Sequence, residues 1–447
     1  MNSIINKRFI FPAIFILLSV NSVIYGQIGV SQNFKSETDS LSLKNIIEKI
    51  ISTHPSVKVA EEAIINADSK IGLAKTGYYP DADATASFTN IGPVTKLSIP
   101  NMGTFQLYPE NNYSASINYR QLVYDFGRTR QNIEFENESK TIAQQTIEQV
   151  KQKLSLFAVN NYYTLVFLQA AIKIKDEQLA ALNSHLNYVE KMMATGSATE
   201  YQILATKVKI STVESQKVDI VAARIAQQAS LNSLLGNDQE TGPVVKNDLK
   251  VDVPAIQSDS LLSFAYHNRD EILLNEKRTS LAGLRLDLVK LQNKPVINFI
   301  ASGGAKNGYI PDLKKLTPNY VLGLNLRIPL FDGMKTKYNV SQAQSALTSL
   351  SYETEITKRG VSTELSEAEA YMTAALKKVS QFELQVTQAL KAYNLAETSF
   401  KAGTITNLDL LDASTSLSES RLMLLKAKID HVASIYKLKA ALGERIY

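Results

Sequence analysis

The sequence contains no cysteine and no tryptophan, and only four of its 447 residues are histidine. Without cysteine the chain cannot form a disulfide, a thiol nucleophile, a zinc–thiolate site or a lipidated N-terminal cysteine. The histidines lack the spacing of metal ligands, and His185, on a predicted helix, is expected at the surface. No nucleophile elbow, P-loop or zinc-protease motif is present. We therefore predict no catalytic site, no cofactor and no metal.

Charge and hydrophobic runs exclude further classes of protein. The net charge of +5 is too small to indicate a nucleic-acid partner. The apolar stretch 9–20 follows Lys7 and Arg8 and precedes a plausible cleavage site, so residues 1–26 are predicted to be a secretory signal peptide. No later segment approaches the roughly 20 apolar residues of a membrane-spanning helix. We predict an exported chain that would enter a membrane, if at all, as strands.

Glycine and proline are both absent from Arg128 to Thr195, which predicts one very long helix. At roughly 1.5 Å per residue this helix would extend on the order of 100 Å, a length typical of a coiled coil. Apolar residues follow a heptad pattern along it, interrupted at Lys175: Ile172, Leu179, Leu182, Leu186, Val189 and Met193. This pattern predicts left-handed supercoiling.

The same pattern of residues is present twice in the chain. Matching residues lie 207 positions apart, as in the pairs Tyr124/Phe331, Asp125/Asp332, Gly196/Gly403, Thr199/Thr406 and Leu235/Leu442. Upstream, Pro80 and Pro295 lie 215 positions apart. The two copies of the pattern therefore differ in length, and the difference falls between Pro80 and Asp125. The duplication predicts two structural repeats, residues 27–236 and 258–447, joined by a linker over 237–257.

Each repeat contains the same predicted elements. A helix, over 41–77 or 258–292, precedes two strands, and the long helix then begins after an aspartate that is predicted to cap it. The long helix ends at a glycine, and the returning helix starts with a capping box. The residues predicted to shape these turns are Asp125, Gly127, Asp332 and Gly333 at the strand–helix junctions, and Gly196, Thr199, Gln202, Gly403, Thr406 and Asp409 at the tips of the helical hairpins.

The predicted strands, near 81–88, 113–120, 297–302 and 320–330, alternate apolar and polar residues. Each has about the length that a tilted membrane strand needs. Strands in lipid must close into a barrel, because an open edge leaves backbone groups unpaired. Four strands are too few to close, so several chains would share one barrel. Two chains would supply eight strands, and three would supply twelve, with room for a lumen.

Residues 41–443 resemble the TolC-like outer-membrane efflux proteins, a family of trimeric outer-membrane factors. The motifs that carry the resemblance are the junctions LVYDFG (122–127) and PLFDG (329–333) and the tip FKAGTITNLDLLDA (400–413). The resemblance implies a mixed α/β membrane protein, in which a homotrimer shares a twelve-stranded β-barrel, four strands per chain, continuous with a long coiled-coil tunnel.

The function implied by the resemblance is that of a passive exit duct for multidrug efflux or type I secretion. It would lie in the outer membrane of a Gram-negative bacterium, contact outer-membrane lipid and extend into the periplasm. A periplasmic adaptor protein and an inner-membrane pump of the RND or ABC type are the implied partners. We expect the adaptor to contact the tip residues Gly196, Thr199, Gln202, Gly403, Thr406 and Leu411.

The resemblance also implies an acidic constriction at the tip, formed by Asp409 and Asp412 from each chain. Asp409 has a second interpretation, as the capping-box residue at a helix N-terminus, and both roles can hold together. The chain lacks the charged latch of some family members, because Ile405 replaces its arginine and Gln202 its aspartate, and Gly333-Met334 replaces the family's usual double glycine. We expect the tip to be held by packing or by other contacts.

Two other classes of function stay open at this point. A secreted coiled-coil structural or adhesive protein would explain the heptads and the signal peptide without a membrane barrel. It would not explain why alternating strand pairs recur at matching places between long helices. A soluble enzyme is a third interpretation, and the missing catalytic motifs argue against it.

Overall fold

The structure, a computed structural model, describes residues 41–100, 102–237, 245–246 and 260–447. The predicted signal peptide and nearly all of the predicted linker lie outside the described residues. The first part of the chain forms α1 (Leu43–Thr53), α2 (Pro55–Lys75), β1 (Asp81–Asn90), β2 (Lys96–Ile99), β3 (Gly103–Gln106), β4 (Asn111–Tyr124), α3 (Arg128–Ala194) and α4 (Glu200–Leu235). None of the described helices combines the length and the apolar character needed to cross a membrane.

The second part of the chain repeats this order of elements without counterparts of β2 and β3. It forms α5 (Leu261–Asn268), α6 (Asp270–Lys290), β5 (Val296–Lys306), β6 (Thr317–Arg327), α7 (Lys335–Lys401) and α8 (Asn407–Leu442). The two long helices α3 and α7 each contain 67 residues, and the returning helices α4 and α8 each contain 36. Each long helix therefore extends about 100 Å. The stretch without glycine or proline predicts this length for α3, and α7 reaches it although it contains Gly360.

The prediction of one helix before each strand pair is wrong, because that segment is two helices. His54 and Arg269 separate them in extended backbone, with ψ angles of 131° and 123°. At the first break, Pro55 clashes with a helical conformation of the preceding residue and itself suits the first turn of a new helix. At the second break there is no proline, and Asp270 begins the helix instead, at the end that favours negative charge.

A four-stranded antiparallel sheet has the strand order β1-β4-β5-β6. Its register aligns the predicted apolar positions across all four strands, for example Ala84 with Ile117 and Phe299 with Leu324. The opposite face is polar and is linked by side-chain hydrogen bonds, such as those between the hydroxyls of Ser87 and Ser114 at 2.8 Å. The period-two alternation is thus confirmed, and the sheet has one apolar and one polar face.

The length difference between the repeats includes an extra hairpin. Strands β2 and β3 pair with each other in the connection between β1 and β4. The connection between β5 and β6, residues 307–316, contains no strand. This hairpin lies inside the stretch between Pro80 and Asp125 that the sequence offset marks as variable in length.

Two hydrophobic clusters hold the helices together, and they are images of each other. The first joins α1, α3, α4 and α8, and the second joins α5, α6, α7 and α8. Several of their buried residues are related by the offsets of 207 and 215: Ile46/Leu261, Ile50/Ala265, Ala158/Leu365, Leu231/Leu438 and Leu235/Leu442. The sequence repeat is therefore a repeat of packing as well as of secondary structure.

The heptad pattern of α3 is confirmed at its centre and shifts at its end. Leu182 and Val189 are fully buried. Met193 is exposed, and Met192 packs in its place against the buried side chains of Val189, Phe400 and Leu410. Lys175, the polar interruption, is buried, and its ammonium donates to the side-chain oxygens of Gln178 and Gln216 at 3.3 and 2.9 Å. Burial lowers the pKa of Lys175. A polar residue at such a seam favours one register of the helix pair over others.

Candidate functional site: the helical tips and the strand–helix junctions

The first tip connects α3 to α4 through a tight turn. Gly196 has a φ of 77°, a conformation that glycine adopts without the steric cost of a Cβ atom. The amide of Ser197 donates to the carbonyl of Met192 at 2.8 Å and closes the end of α3. The amide of Thr199 then donates to the side-chain oxygen of Gln202 at 3.0 Å. This contact belongs to the predicted capping box, which is present.

The second tip repeats this arrangement between α7 and α8. Gly403 has a φ of 75°, and the amide and hydroxyl of Thr406 donate to Asp409 Oδ2 at 2.8 and 2.6 Å. The amide of Asp409 donates back to the Thr406 hydroxyl at 3.2 Å. These bonds from Thr406 lower the pKa of Asp409, because they stabilise its charged form. The second capping box is therefore confirmed, with Asp409 as its acidic member.

Asp409 and Asp412 both lie on the exposed surface of the second tip. They are three residues apart on α8, so they are neighbours on one face of the helix. Leu410 and Leu411, between them, are buried on the opposite face. Leu411, predicted as a tip contact, is 3% exposed and packs against Leu182 and its neighbours within the chain. The two carboxylates face away from the chain, and Leu411 supports the tip from inside.

Ile405, at the position where the resemblance implies an arginine, packs into the apolar cluster of the tip. That cluster contains the buried residues Val189, Phe400 and Leu410, with Ile405 at its edge. The cluster joins α3 to both helices of the second hairpin. Packing therefore holds the region in which the resemblance implies a charged latch.

A polar contact that the sequence does not predict lies beside this cluster. Asn407, the first residue of α8, is 4% exposed, and its amide nitrogen donates to the carbonyl of Gln202 and to the hydroxyl of Thr206 at 3.2 and 3.3 Å. Its amide oxygen lies 2.5 Å from Nε2 of His185. Since the Asn407 nitrogen is engaged with α4, its oxygen accepts and His185 donates.

The prediction that His185 lies at the surface is wrong. Its ring is half-buried and packs edge-on against Phe400, with the ring centroids 5.0 Å apart. Burial lowers the pKa of His185, although the hydrogen bond to Asn407 and the charge of Glu397 oppose this effect. The only sequence signal was position: residue 185 lies among heptad residues close to the tip. We name the group formed by His185, Gln202, Thr206, Phe400 and Asn407 the tip joint.

The strand–helix junctions are the second set of predicted sites. Asp125 is buried, and its Oδ2 accepts from the amide and the hydroxyl of Thr129 at 2.7 and 2.6 Å. In the second junction Asp332 Oδ2 accepts from the amide of Thr336 at 2.9 Å. Both aspartates therefore bond to helix amides, as predicted.

The prediction that these aspartates occupy the N-cap position is wrong, because two residues separate each of them from the helix. The N-cap positions are Gly127 and Met334, and both have left-handed backbone. Their predecessors Phe126 and Gly333 are also left-handed, with φ angles of 56° and 67°. Each junction thus needs two consecutive positive φ angles, which strain Phe126 and Met334.

The family model described as outer membrane efflux protein matches residues 46–237 and 262–444. Outer membrane protein TolC of Salmonella enteritidis is 21% identical over 383 residues, covering 81% of this chain and 78% of that protein. Outer membrane efflux protein BepC of Brucella suis is 20% identical over 438 residues, covering 97% of this chain and 91% of that protein.

Solved structures share the fold. CusC, whose crystal structures concern folding and transmembrane channel formation, superposes with a TM-score of 0.76 at 18% identity, covering 90% of this chain and 92% of its own. The outer membrane protein VceC of Vibrio cholerae superposes with a TM-score of 0.74 at 19% identity, covering 91% of this chain and 97% of its own. These likenesses extend over the strands and the helices alike.

Proposed function

The chain belongs to the outer membrane efflux protein family, and from that premise we propose that three copies form the passive exit duct of a tripartite efflux or type I secretion system. Its place is the outer membrane, from which its helices extend into the periplasm. Relatives named for efflux and for secretion both match it: the outer membrane efflux protein BepC of Brucella suis and the alkaline protease secretion protein AprF of Pseudomonas aeruginosa. Membership in this family disfavours the secreted coiled-coil protein as the alternative.

The observation that carries the proposal is the amphipathic sheet with two open edges. Strands β1 and β6 lie at its edges, and its apolar face exposes large side chains such as Leu322 and Leu324, at 66% and 72%. In lipid the apolar face is stable, but the unpaired edges are not. Pairing β6 of one copy with β1 of the next satisfies both edges. Three copies then close a barrel of twelve strands with the polar face inside.

The helices support the same ring through the repeat. Within the chain, α8 packs along α3, and its residues Leu411 and Val432 are both 3% exposed. Their counterparts in α4, Leu204 and Ile225, are 54% and 57% exposed. In the repeat, α4 corresponds to α8 and α7 corresponds to α3. The exposed face of α4 therefore fits α7 of a neighbouring copy, as α8 fits α3 within one chain. Contacts of this head-to-tail kind close into rings.

The exposed stripe on α4 has the spacing of a coiled-coil seam. Tyr201, Leu204, Val208 and Val218 share one helix face at heptad spacing, and each is more than half exposed. On α7, Leu384 and Leu395 are exposed in the same way, at 59% and 68%. We name the contact between α4 of one copy and α7 of the next the inter-copy seam.

The tips provide the proposed constriction and the proposed docking site. Asp409 and Asp412 of three copies would form an acidic ring that attracts cations and repels anions. The exposed turns around Gly196 and Gly403 would contact the periplasmic adaptor, which links the duct to an inner-membrane pump. The proposed role needs no reaction chemistry, because the pump performs the work and the duct supplies a path.

The proposal is tested by measuring the mass and the conductance of the mature protein purified in detergent. We expect a stable trimer that opens small, cation-preferring channels in planar bilayers. A water-soluble monomer or elongated dimer without conductance would overturn the duct and restore the secreted coiled-coil protein.

The acidic ring makes a separate prediction on the same channels. Substituting both Asp409→Asn and Asp412→Asn should lower the cation-to-anion permeability ratio about tenfold, because the negative potential at the constriction is lost. Asparagine keeps an oxygen for the capping contact with Thr406, so the tip should stay folded. Glu200→Gln, which removes a carboxylate from the other hairpin, is the matched control. An unchanged ratio in the double variant would exclude the ring.

Acidification should act in the same direction as these substitutions. The carboxylate of Asp409 contributes to cation preference only while it is charged, so its contribution is lost as the pH falls through its pKa. Because the bonds from Thr406 lower that pKa, the contribution should persist to a lower pH than for an ordinary aspartate. The permeability ratio measured across the acidic range reports this shift.

A further inference from the structure

The two edge strands of the sheet carry charges of opposite sign on its polar face. Strand β1 contains two carboxylates, Asp81 and Asp83, and no basic residue, whereas the only charged residue of β6 is Arg327. The two inner strands contribute only basic residues, Arg120 on β4 and Lys306 on β5. Each edge of the sheet therefore complements in charge the opposite edge of another copy.

Within its own chain Arg327 has no charged partner. It is exposed at the end of β6, and its guanidinium makes no hydrogen bond or ion pair with the residues that the structure describes. Asp81 lies opposite Arg120 on β4. Asp83 instead lies opposite Asn118, whose amide nitrogen donates to it at 3.0 Å. Asp83 is thus the carboxylate of β1 that has no basic residue opposite it.

The stagger of the strands brings Arg327 of one copy level with Asp83 of the next. A row of paired residues crosses the sheet from Asp81, the first residue of β1, to Gly323, which precedes the end of β6 at Arg327 by four residues. Closing a barrel requires such a stagger. If it continues by about two residues at the contact between copies, Arg327 lies opposite Asp83. If it stops there, Arg327 lies opposite Asp81, which already faces a basic residue.

The apolar face of the sheet fits in the same register. There β6 presents Leu324 and Leu326, which are 72% and 59% exposed, and β1 presents Ala84 and Ala86, which are exposed as well. The register described above places Leu326 opposite Ala84 and Leu324 opposite Ala86. Large side chains then lie beside small ones, so the two strands can approach without crowding.

We propose that each copy recognises the next through an ion pair between Arg327 and Asp83 of the neighbouring copy, which fixes the register of the contact between β6 and β1. This inference rests on the proposed ring of copies and names the residues that select its register. Alternation alone cannot select it, because a slip by two residues leaves every side chain on the same face. Opposite charges do select it, since a slip separates them.

The absence of cysteine allows the register to be measured with disulfides. Arg327→Cys with Asp83→Cys should form a disulfide between copies on oxidation, seen as covalent dimers and trimers on a denaturing gel. Within one chain these positions lie at opposite edges of the sheet, roughly 14 Å apart, too far for a disulfide. Arg327→Cys with Asp81→Cys, or with Thr85→Cys, is the matched control, because a shift of two residues, roughly 7 Å, also exceeds the reach of a disulfide.

Exchanging the charges tests whether the pair stabilises the ring. Arg327→Asp should raise the rate at which trimers dissociate in warm detergent about tenfold or more, because an attraction becomes a repulsion at each contact between copies. Adding Asp83→Arg should return the rate to within about threefold of the parent protein, because the exchange restores the attraction.

Three results would overturn the inference while leaving a trimeric duct in place. They are a disulfide in a control pair but not between residues 327 and 83, a dissociation rate that Arg327→Asp does not change, and a rate that Asp83→Arg does not restore. A parent protein that forms no trimer would overturn the proposed duct itself, and the inference with it.

Discussion

Gly443→Ala should destabilise the protein by about 2–4 kcal/mol, while Gly236→Ala, at the corresponding position of the first repeat, should cost only about 1–2 kcal/mol. Both glycines follow the last residue of a returning helix in left-handed backbone, with φ angles of 81° and 67°. A Cβ atom is disfavoured there in either repeat. That shared cost makes Gly236→Ala a matched control.

The difference between the two variants comes from what surrounds each glycine. A Cβ atom on Gly443 would lie 2.6 Å from the carbonyl carbon and oxygen of Asn268, whereas a Cβ atom on Gly236 meets nothing within 4 Å. Asn268 lies at the break between α5 and α6, so the clash falls on backbone that cannot rotate away. Either the end of α8 or this break must shift.

Such a shift would also disturb the ion pair that follows the turn. The guanidinium of Arg445 donates to both carboxylate oxygens of Asp270, at 2.6 and 2.8 Å, and Asp270 is 5% exposed. Removing the partner of a buried charge is costly, so the upper part of the expected range applies if Arg445 moves.

Urea unfolding in detergent, followed by far-ultraviolet circular dichroism, measures both variants against the parent protein. The shift in midpoint should be clearly larger for Gly443→Ala. Equal shifts would mean that the contact with Asn268 contributes nothing, and that only the left-handed backbone requires glycine.

The elements of this fold could be predicted from the sequence because their signals are local. A stretch without glycine or proline predicts α3, period-two alternation predicts β4 and β6, and Thr406 with Asp409 predicts a capping box within four residues. Each signal depends on neighbours along the chain, and the repeat shows each of them twice. The sequence offset alone also placed the variable segment that contains the β2–β3 hairpin.

Contacts between distant segments could not be predicted in this way. Asn407 and His185 are 222 residues apart, and neither is unusual for a helix in water until the other is placed beside it. Arg269 separates α5 from α6 without a proline, and its side chain bonds to Glu364 and to the carbonyl of Ala440 in other helices. The N-cap positions lie two residues after the predicted aspartates because two successive residues have left-handed backbone at each junction. One of these residues is Met334, whose side chain does not indicate left-handed backbone.

The second large effect is expected in the sheet, where Leu322→Lys should be far more damaging than Val321→Lys. These neighbours lie at the middle of β6 and point to opposite faces. Leu322 pairs with Ala301 on the apolar face, and Val321 pairs with Ser302 on the polar face. Both substitutions introduce the same charge into the same strand, so they differ only in the face that receives it.

If the apolar face contacts lipid, the lysine at residue 322 lies near the bilayer midplane and costs about 2–4 kcal/mol, while a lysine at residue 321 projects into a watery lumen and costs little. The measurement is urea unfolding from lipid vesicles, together with the fraction of each variant recovered in the outer membrane. A loss for Leu322→Lys alone would place this face against lipid.

The opposite result is equally informative. In a secreted protein without a barrel, an exposed Leu322 would face water, and lysine there would improve solubility rather than prevent assembly. Two variants of equal stability would therefore contradict the membrane barrel, even if the helices still formed a coiled coil. The comparison thus tests the proposed barrel, which a single four-stranded sheet with two open edges cannot close.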